Sequence, residues 1–242
     1  MTLLPAITFQ EVSFETNETL ILKRISGTIY KGQITTLIGP SGAGKTTLLK
    51  MCNGLISPTS GTIFIEEQPI ESYDPAALRR FVGIALQSAP VLRKSIFDNL
   101  ALPLTLQGKK LSREMALESL DAVGLDATFL DRDATELSGG QKQKLSIART
   151  LINKSSILLL DEITAALDPS SAREIEELVI KINKRYGVTI IWITHNFEQA
   201  RRLSHYTWLL KDGALIEAAS SGRLFRNNAL SVQQFLRGEE QR

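Results

Sequence analysis

The chain has 242 residues, 43% of them apolar and 22% charged, with a formal net charge of +2. That length and apolar share support a real core, in one large domain or two small ones. The near-neutral balance, without a long run of like charge, argues against a nucleic-acid partner. A single cysteine, Cys52, excludes a disulfide framework and a cysteine-cluster metal site.

From the N-terminus, Met1–Phe9 lacks a basic region and is broken by Pro5, unlike a signal peptide. No apolar stretch approaches the roughly 18–20 residues needed to cross a bilayer. Short apolar runs rich in β-branched residues predict strands at Ile7–Phe9, Gln33–Ile38, Gly61–Ile65 and Phe81–Leu86. Their lack of alternation suits strands buried on both faces, as in a mostly parallel sheet covered by helices. A helix is predicted over Lys45–Asn53, carrying Cys52 as a buried structural thiol.

From Ser88 to Thr150 the period is helical, with segments at Ser95–Leu104, Ser112–Val123 and Gln141–Ile152 and no strand-like run. Beyond it, a strand is expected at Ser156–Leu160 and a helix at Ser171–Tyr186, started by Asp168-Pro. A strand at Val188–Thr194, a helix at Asn196–Leu203 and a short polar tail from Gly222 complete the chain. The expected fold is α/β, a single domain over 1–242. Its core is 1–87, with an N-terminal β region, and 151–242; an all-α subdomain, 88–150, is inserted.

The run Gly39-Pro40-Ser41-Gly42-Ala43-Gly44-Lys45-Thr46-Thr47 follows a predicted strand and opens a predicted helix. That is the context a G-x-x-x-x-G-K-[ST] phosphate loop requires. Its glycines let successive N–H groups face inward as an anion nest, and the helix start adds positive potential. Lys45 can place its charge on the β- and γ-phosphates, and the Thr46 hydroxyl can ligate Mg²⁺.

Ile157–Leu160 is an apolar run ending in two carboxylates, Asp161 and Glu162. Paired acids at the end of a buried strand are costly unless they face a cation or a reacting group. Asp161 is placed to hold Mg²⁺ through water, and Glu162 to orient or deprotonate an attacking water.

Leu137-Ser138-Gly139-Gly140-Gln141, lying between loop and acids, offers a second anion nest at a helix start. With this pentapeptide the chain resembles the ATP-binding-cassette transporter ATPases, over nearly its whole length. The resemblance implies a P-loop NTPase fold of RecA-like type. Gln87 is similar to the family's Q-loop glutamine, which contacts Mg²⁺, and Ala165-Ala-Leu-Asp168 to its D-loop. His195 matches the histidine that contacts the γ-phosphate; His205 has no such match.

The implied assembly is a head-to-tail homodimer with ATP between Lys45's loop on one copy and Ser138's loop on the other. It would drive an integral-membrane permease through a groove near Gln87, with the chain peripheral on the cytoplasmic face of the membrane. Three positions depart from the family pattern. Thr16 stands where an adenine-stacking aromatic is usual, leaving Phe14 as the candidate base contact. Lys144 replaces a commoner arginine, and Ala165 a commoner serine. The Asp161–Asp168 phrase most resembles stand-alone ATPases of metal-related systems such as iron export. The alternative class is a soluble cassette ATPase outside transport, as in iron–sulfur cluster assembly.

Overall fold

The computed structural model describes residues 3–226; Met1, Thr2 and residues 227–242, most of the expected polar tail, lie outside the described residues. In chain order the elements begin with β1 (Pro5–Thr16), β2 (Thr19–Tyr30), β3 (Ile34–Ile38) and α1 (Lys45–Met51). Next come β4 (Ser60–Ile65), β5 (Gln68–Pro69), α2 (Pro75–Phe81) and β6 (Val82–Ala85). The helices α3 (Ile96–Thr105), α4 (Arg113–Ala122) and α5 (Gly139–Ile152) follow, then β7 (Ile157–Asp161) and α6 (Pro169–Tyr186). The last elements are β8 (Thr189–Ile193), α7 (Phe197–Leu203), β9 (Tyr206–Lys211), β10 (Ala214–Ser220) and α8 (Ser221–Arg226).

These elements form two compact units, one of residues up to 78 together with those from 189 onward, the other of 79–188. In the first unit, β2, β1, β4 and β5 lie in that order as an antiparallel sheet. Its register pairs Ile7 with Ile65 and Phe9 with Ile63 across β1 and β4, and Val12 with Ile25 across β1 and β2. All six side chains are buried, whereas Lys23, Arg24 and Ser26 of β2 are exposed, the half-buried alternation of an antiparallel sheet. The unit's other strands run in the order β10-β9-β3-β8. Here β3 is parallel to both neighbours and β10 closes the edge antiparallel to β9. Every residue of β3 and of β8 is buried, so neither alternates. Phe9 meets Trp208 edge-on, ring centroids 5.5 Å apart, and joins the two sheets into one core.

In the second unit β6 and β7 are parallel, Val82 opposite Ile157 and Ala85 opposite Leu160. Helix α3 is capped by Ser95 and α4 by Ser112, each hydroxyl accepting a first-turn N–H. Helix α6 buries Ile175, Leu178, Val179 and Ile182, the spacing of one helical face. It ends at Gly187, whose φ of 65° is left-handed, after Lys184 and Arg185. Among the described residues no strand interrupts the stretch from Ser88 to Thr150; Ser95 and Asp133 form only an isolated bridge.

The strands expected from apolar runs are present, β1 extending well past Phe9. The expected segments did not include β2, β5, β9, β10, α2 and α8. Most of these are short or carry polar residues on an exposed side, and so lack an unbroken apolar run.

Candidate functional site

The phosphate loop follows directly from β3. Gly39 has φ 150°, and a Cβ there would lie 2.0 Å from the Leu210 carbonyl oxygen, so only glycine fits. Gly44, with φ 91°, is pressed against β2: its Cβ would come 2.6 Å from Leu22 Cδ2. Ser41 and Gly42 form the exposed crest of the loop, Pro40 is half-buried, and Ala43, Gly44 and Lys45 make the buried base. The Ala43 N–H donates to the Pro40 carbonyl at 3.2 Å, tightening the curl. Lys45 is 5% exposed; its Nζ donates to the carbonyls of Gly39 at 2.7 Å and Pro40 at 2.8 Å. A buried ammonium is costly without such partners, and here it braces the loop that carries it. Thr46 and Thr47 are half-buried in the first turn of α1. Cys52, at the far end of α1, is fully buried, and burial pushes its thiol up to about 12.

Phe14 is half-buried on β1 opposite Leu22, the residue that packs on Gly44; Thr16 is exposed opposite Thr19. The hairpin tip between them turns through Asn17 and Glu18, both at positive φ. His195 is exposed just past the wholly buried β8. It is flanked by Thr194, whose hydroxyl bonds to Gln199 and accepts the Asn196 N–H at 3.0 Å. The Asn196 side chain in turn caps α7.

In the second unit β7 buries Ile157–Leu160 and delivers Asp161 and Glu162 half-buried at its end. Glu162 has φ 50°, a left-handed conformation that non-glycine residues adopt at a cost, and one enriched at functional sites. Its carbonyl accepts the Ala165 N–H at 3.0 Å, and Thr164 accepts that of Leu167 at 3.2 Å. This turn ends at Asp168, which caps α6 by accepting the Ser170 and Ser171 N–H groups, both at 3.0 Å. A hydrogen bond from the Ser171 hydroxyl, ahead of the N–H bonds, holds the Asp168 carboxyl below its usual range.

Ser138 caps α5 reciprocally. Its hydroxyl accepts the Gln141 N–H at 3.3 Å, and the Gln141 side chain accepts the Ser138 N–H at 2.9 Å. Gly139 and Gly140 form the first helical residues, with N–H groups that the helix itself cannot satisfy. Ser138, Gly140, Gln141, Lys144, Phe129 and Glu174 border an open cavity of about 370 Å³. Lys144 pairs with Glu174 of α6 at 2.9 Å, so this cation is engaged by a carboxylate of its own chain. Gln87 is exposed just beyond β6. Two residues that the motifs do not single out also reach this region, Gln143 and Arg149 of α5, which bond to backbone oxygens of Gln87 and Pro90. No sequence signal marks them, because their partners lie far away along the chain and most are main-chain atoms.

For Mg²⁺, Thr46 and Asp161 offer hydroxyl and carboxylate oxygens, the hard ligands that ion prefers. Among the described residues no group of three or more His, Cys, Asp or Glu could hold a metal by itself.

The family model described as ABC transporter matches residues 22–165. The chain is 44% identical over 240 residues to YjkB of Bacillus subtilis, named as an ABC transporter ATP-binding protein, covering 97% of this chain and 95% of that one. It is 38% identical to ABC transporter I family member 17 of Arabidopsis thaliana, covering 89% and 82%. Among solved structures it resembles CbiO1 of Clostridium perfringens, part of the cbiONQ transporter complex, with TM-score 0.84, 27% identity and 96% and 95% coverage. It also resembles the dimeric cassette MJ0796 bound to ADP and phosphate, with TM-score 0.78, 29% identity and 89% and 98% coverage. A phosphate loop, a capped signature helix and a strand ending in paired acids, in that order, thus accompany likeness along nearly the whole chain: it belongs to the ABC transporter family, on the side of its ATP-hydrolysing cassettes.

Proposed function

We propose that this chain is the subunit of an ABC transporter that binds and hydrolyses MgATP in a head-to-tail dimer and so drives a separate membrane permease. The observation that carries this reading is a pair of unlike anion nests on one chain. One is a phosphate loop braced by a buried lysine, the other a helix start whose cap leaves the Gly139 and Gly140 N–H groups to an outside partner. A chain with two different nests can close two identical sites with a second copy of itself. The dimeric form of MJ0796 and the place of CbiO1 in a transporter complex support the same assembly.

In this reading the N–H groups of residues 41–47 cradle the triphosphate, and Lys45 turns its ammonium from the loop carbonyls to the β- and γ-phosphates. Thr46, Asp161 and Gln87 hold Mg²⁺, which supplies charge neutralisation and orientation of the phosphates. Glu162 takes a proton from the attacking water, and His195 contacts the γ-phosphate. Ser138, Gly139, Gly140 and Gln141 of the second copy complete the site. Phe14 contacts adenine, a role supported by its place opposite Leu22 beside the loop. In this reading the chain sits at the cytoplasmic face of the membrane and is held there by its permease; no described helix is long and apolar enough to cross a membrane.

The test is Glu162→Gln. The amide keeps the shape of the side chain but cannot accept the proton, so hydrolysis should fall by roughly 10²–10⁴-fold. Undepleted ATP should then hold the pair together by mass action. Sedimentation with MgATP should find the variant dimeric; a monomer that has bound ATP would refute the shared site.

A further inference from the structure

Gln143 lies in the second turn of α5 and is 3% exposed. Its Nε2 donates to the Gln87 carbonyl at 2.7 Å and to the Leu86 carbonyl at 3.3 Å. Two carbonyls on that side fix which end of the amide faces them. Its Oε1 is left buried with no hydrogen-bond partner. Buried polar atoms are nearly always matched, and an exception calls for an explanation. A residue needed only to fill this space would be apolar and would leave no orphan acceptor. The amide is therefore present for its two donor bonds.

The same helix grips the same segment again further along. Arg149 donates through Nη1 to the Pro90 carbonyl at 2.7 Å and through Nε to the Asn99 carbonyl at 3.2 Å, while Nη2 meets Asn99 Oδ1. Asn99 is wholly buried; it accepts the Leu92 N–H at 2.8 Å and donates to the carbonyls of Leu92 at 3.1 Å and Ser95 at 2.9 Å. Between the two grips Ala89 has φ 39°, and its N–H donates to Leu86 at 3.1 Å. A turn wound this tightly, with a non-glycine residue in the left-handed region, persists only where its surroundings over-determine it.

One helix therefore begins at the Ser138 cap and holds the Gln87 segment at two places. A helix transmits displacement as a rigid element, and Gln143 lies only about 7.5 Å along the axis from Ser138, at about 1.5 Å rise per residue. We propose that Gln143 is a positioning residue that ties Gln87 to the signature helix, so that Gln87 reaches its working position in step with Ser138. The inference rests on the reading of Gln87 and Ser138 as parts of the ATP site. It adds a link within one chain between the half-site offered to a second copy and the glutamine serving this copy's own nucleotide.

The experiment is a double-mutant cycle on the purified full chain. Gln143→Met keeps length and volume and removes both donors. Steady-state MgATP hydrolysis is measured for the parent, Gln143→Met, Gln87→Ala and the double variant. Expected is a fall in kcat of about tenfold for Gln143→Met, with KM for ATP within about twofold, and no further fall when Gln87 is already alanine. Losses that multiply in the double variant, or a Gln143→Met enzyme with parental kcat, overturn the link alone. A Gln87→Ala enzyme with parental kcat overturns both the link and the assignment of Gln87. Thermal melting checks folding. Should Gln143→Met fail to fold, Gln143→Asn, which keeps the amide one methylene short of the carbonyls, runs through the same cycle with the same criteria.

Discussion

Gly39 and Gly42 share one loop and a positive φ, yet they answer to different constraints. At Gly39 a methyl would overlap the Leu210 carbonyl at 2.0 Å, and that oxygen belongs to backbone that cannot swing aside. At Gly42 nothing lies within 4 Å of the would-be Cβ. Gly42→Ala should therefore cost only the strain of φ 80°, about 1–3 kcal/mol, and leave a loop that still binds ATP. Gly39→Ala should cost more than that and abolish ATP binding, because the loop must move off the end of β3. Urea unfolding midpoints and equilibrium nucleotide binding check both; equal effects of the two substitutions would refute the distinction. Lys45 belongs to the same argument, since its bonds to the Gly39 and Pro40 carbonyls depend on where Gly39 places them.

At the scale of elements, the caps do work that propensity would not. Helix α5 starts on two glycines, each poorer than alanine by about 1 kcal/mol, and the Ser138–Gln141 box offsets part of that loss. Helix α6 starts on Asp168 and Pro169, and here the cap is ionised. The folded pKa of Asp168 lies below the ordinary aspartate value, so folded protein holds fewer protons on it than unfolded chain. Its contribution is present above the unfolded pKa and is lost as pH falls through the folded one. Asn is an equally good cap without a charge. Asp168→Asn should then melt near the parent at pH 7 and lose less stability than the parent between pH 5 and pH 3, a difference that melting curves across that range would read. Asp126, Asp131 and Asp133 are shifted downward as well, by Thr128, Arg113 and Thr135, so one substitution flattens the acid limb only in part.

The same elements explain what was legible in the sequence. The fully buried β3, β7 and β8 stand out as apolar runs because parallel strands covered on both faces carry no polar alternation. β2 does not, since Lys23, Arg24 and Ser26 face solvent between its buried residues. The start of α5 is misplaced by two residues, from Gln141 to Gly139, because glycines read as loop until a reciprocal cap is seen. The phosphate loop, the paired acids and the capped signature are local in sequence and so were visible. The bond from Gln143 to the Gln87 backbone joins residues far apart in the chain, and no local pattern encodes it.

For the whole molecule, the motifs are divided between the two compact units. The phosphate loop and His195 belong to one, and Gln87, the signature and the paired acids to the other. In the proposed dimer each ATP site takes Lys45 from one copy and Ser138 from the other, which makes a test by complementation possible. Lys45→Ala and Ser138→Arg should each abolish hydrolysis in a dimer of its own kind, because both sites carry a lesion. In a mixed dimer the two lesions fall in the same site, and the remaining site has an intact Lys45 and an intact Ser138. Random exchange makes half of the pairs mixed, each with one of two sites intact, so activity should recover to about a quarter of the parental value if sites act independently. Sites built within single chains would give no recovery, since every chain is then defective on its own. Hydrolysis by the mixture that stays at the sum of the two separate variants, under conditions where subunit exchange is verified by sedimentation or fluorescence transfer, would exclude the head-to-tail arrangement with independent sites.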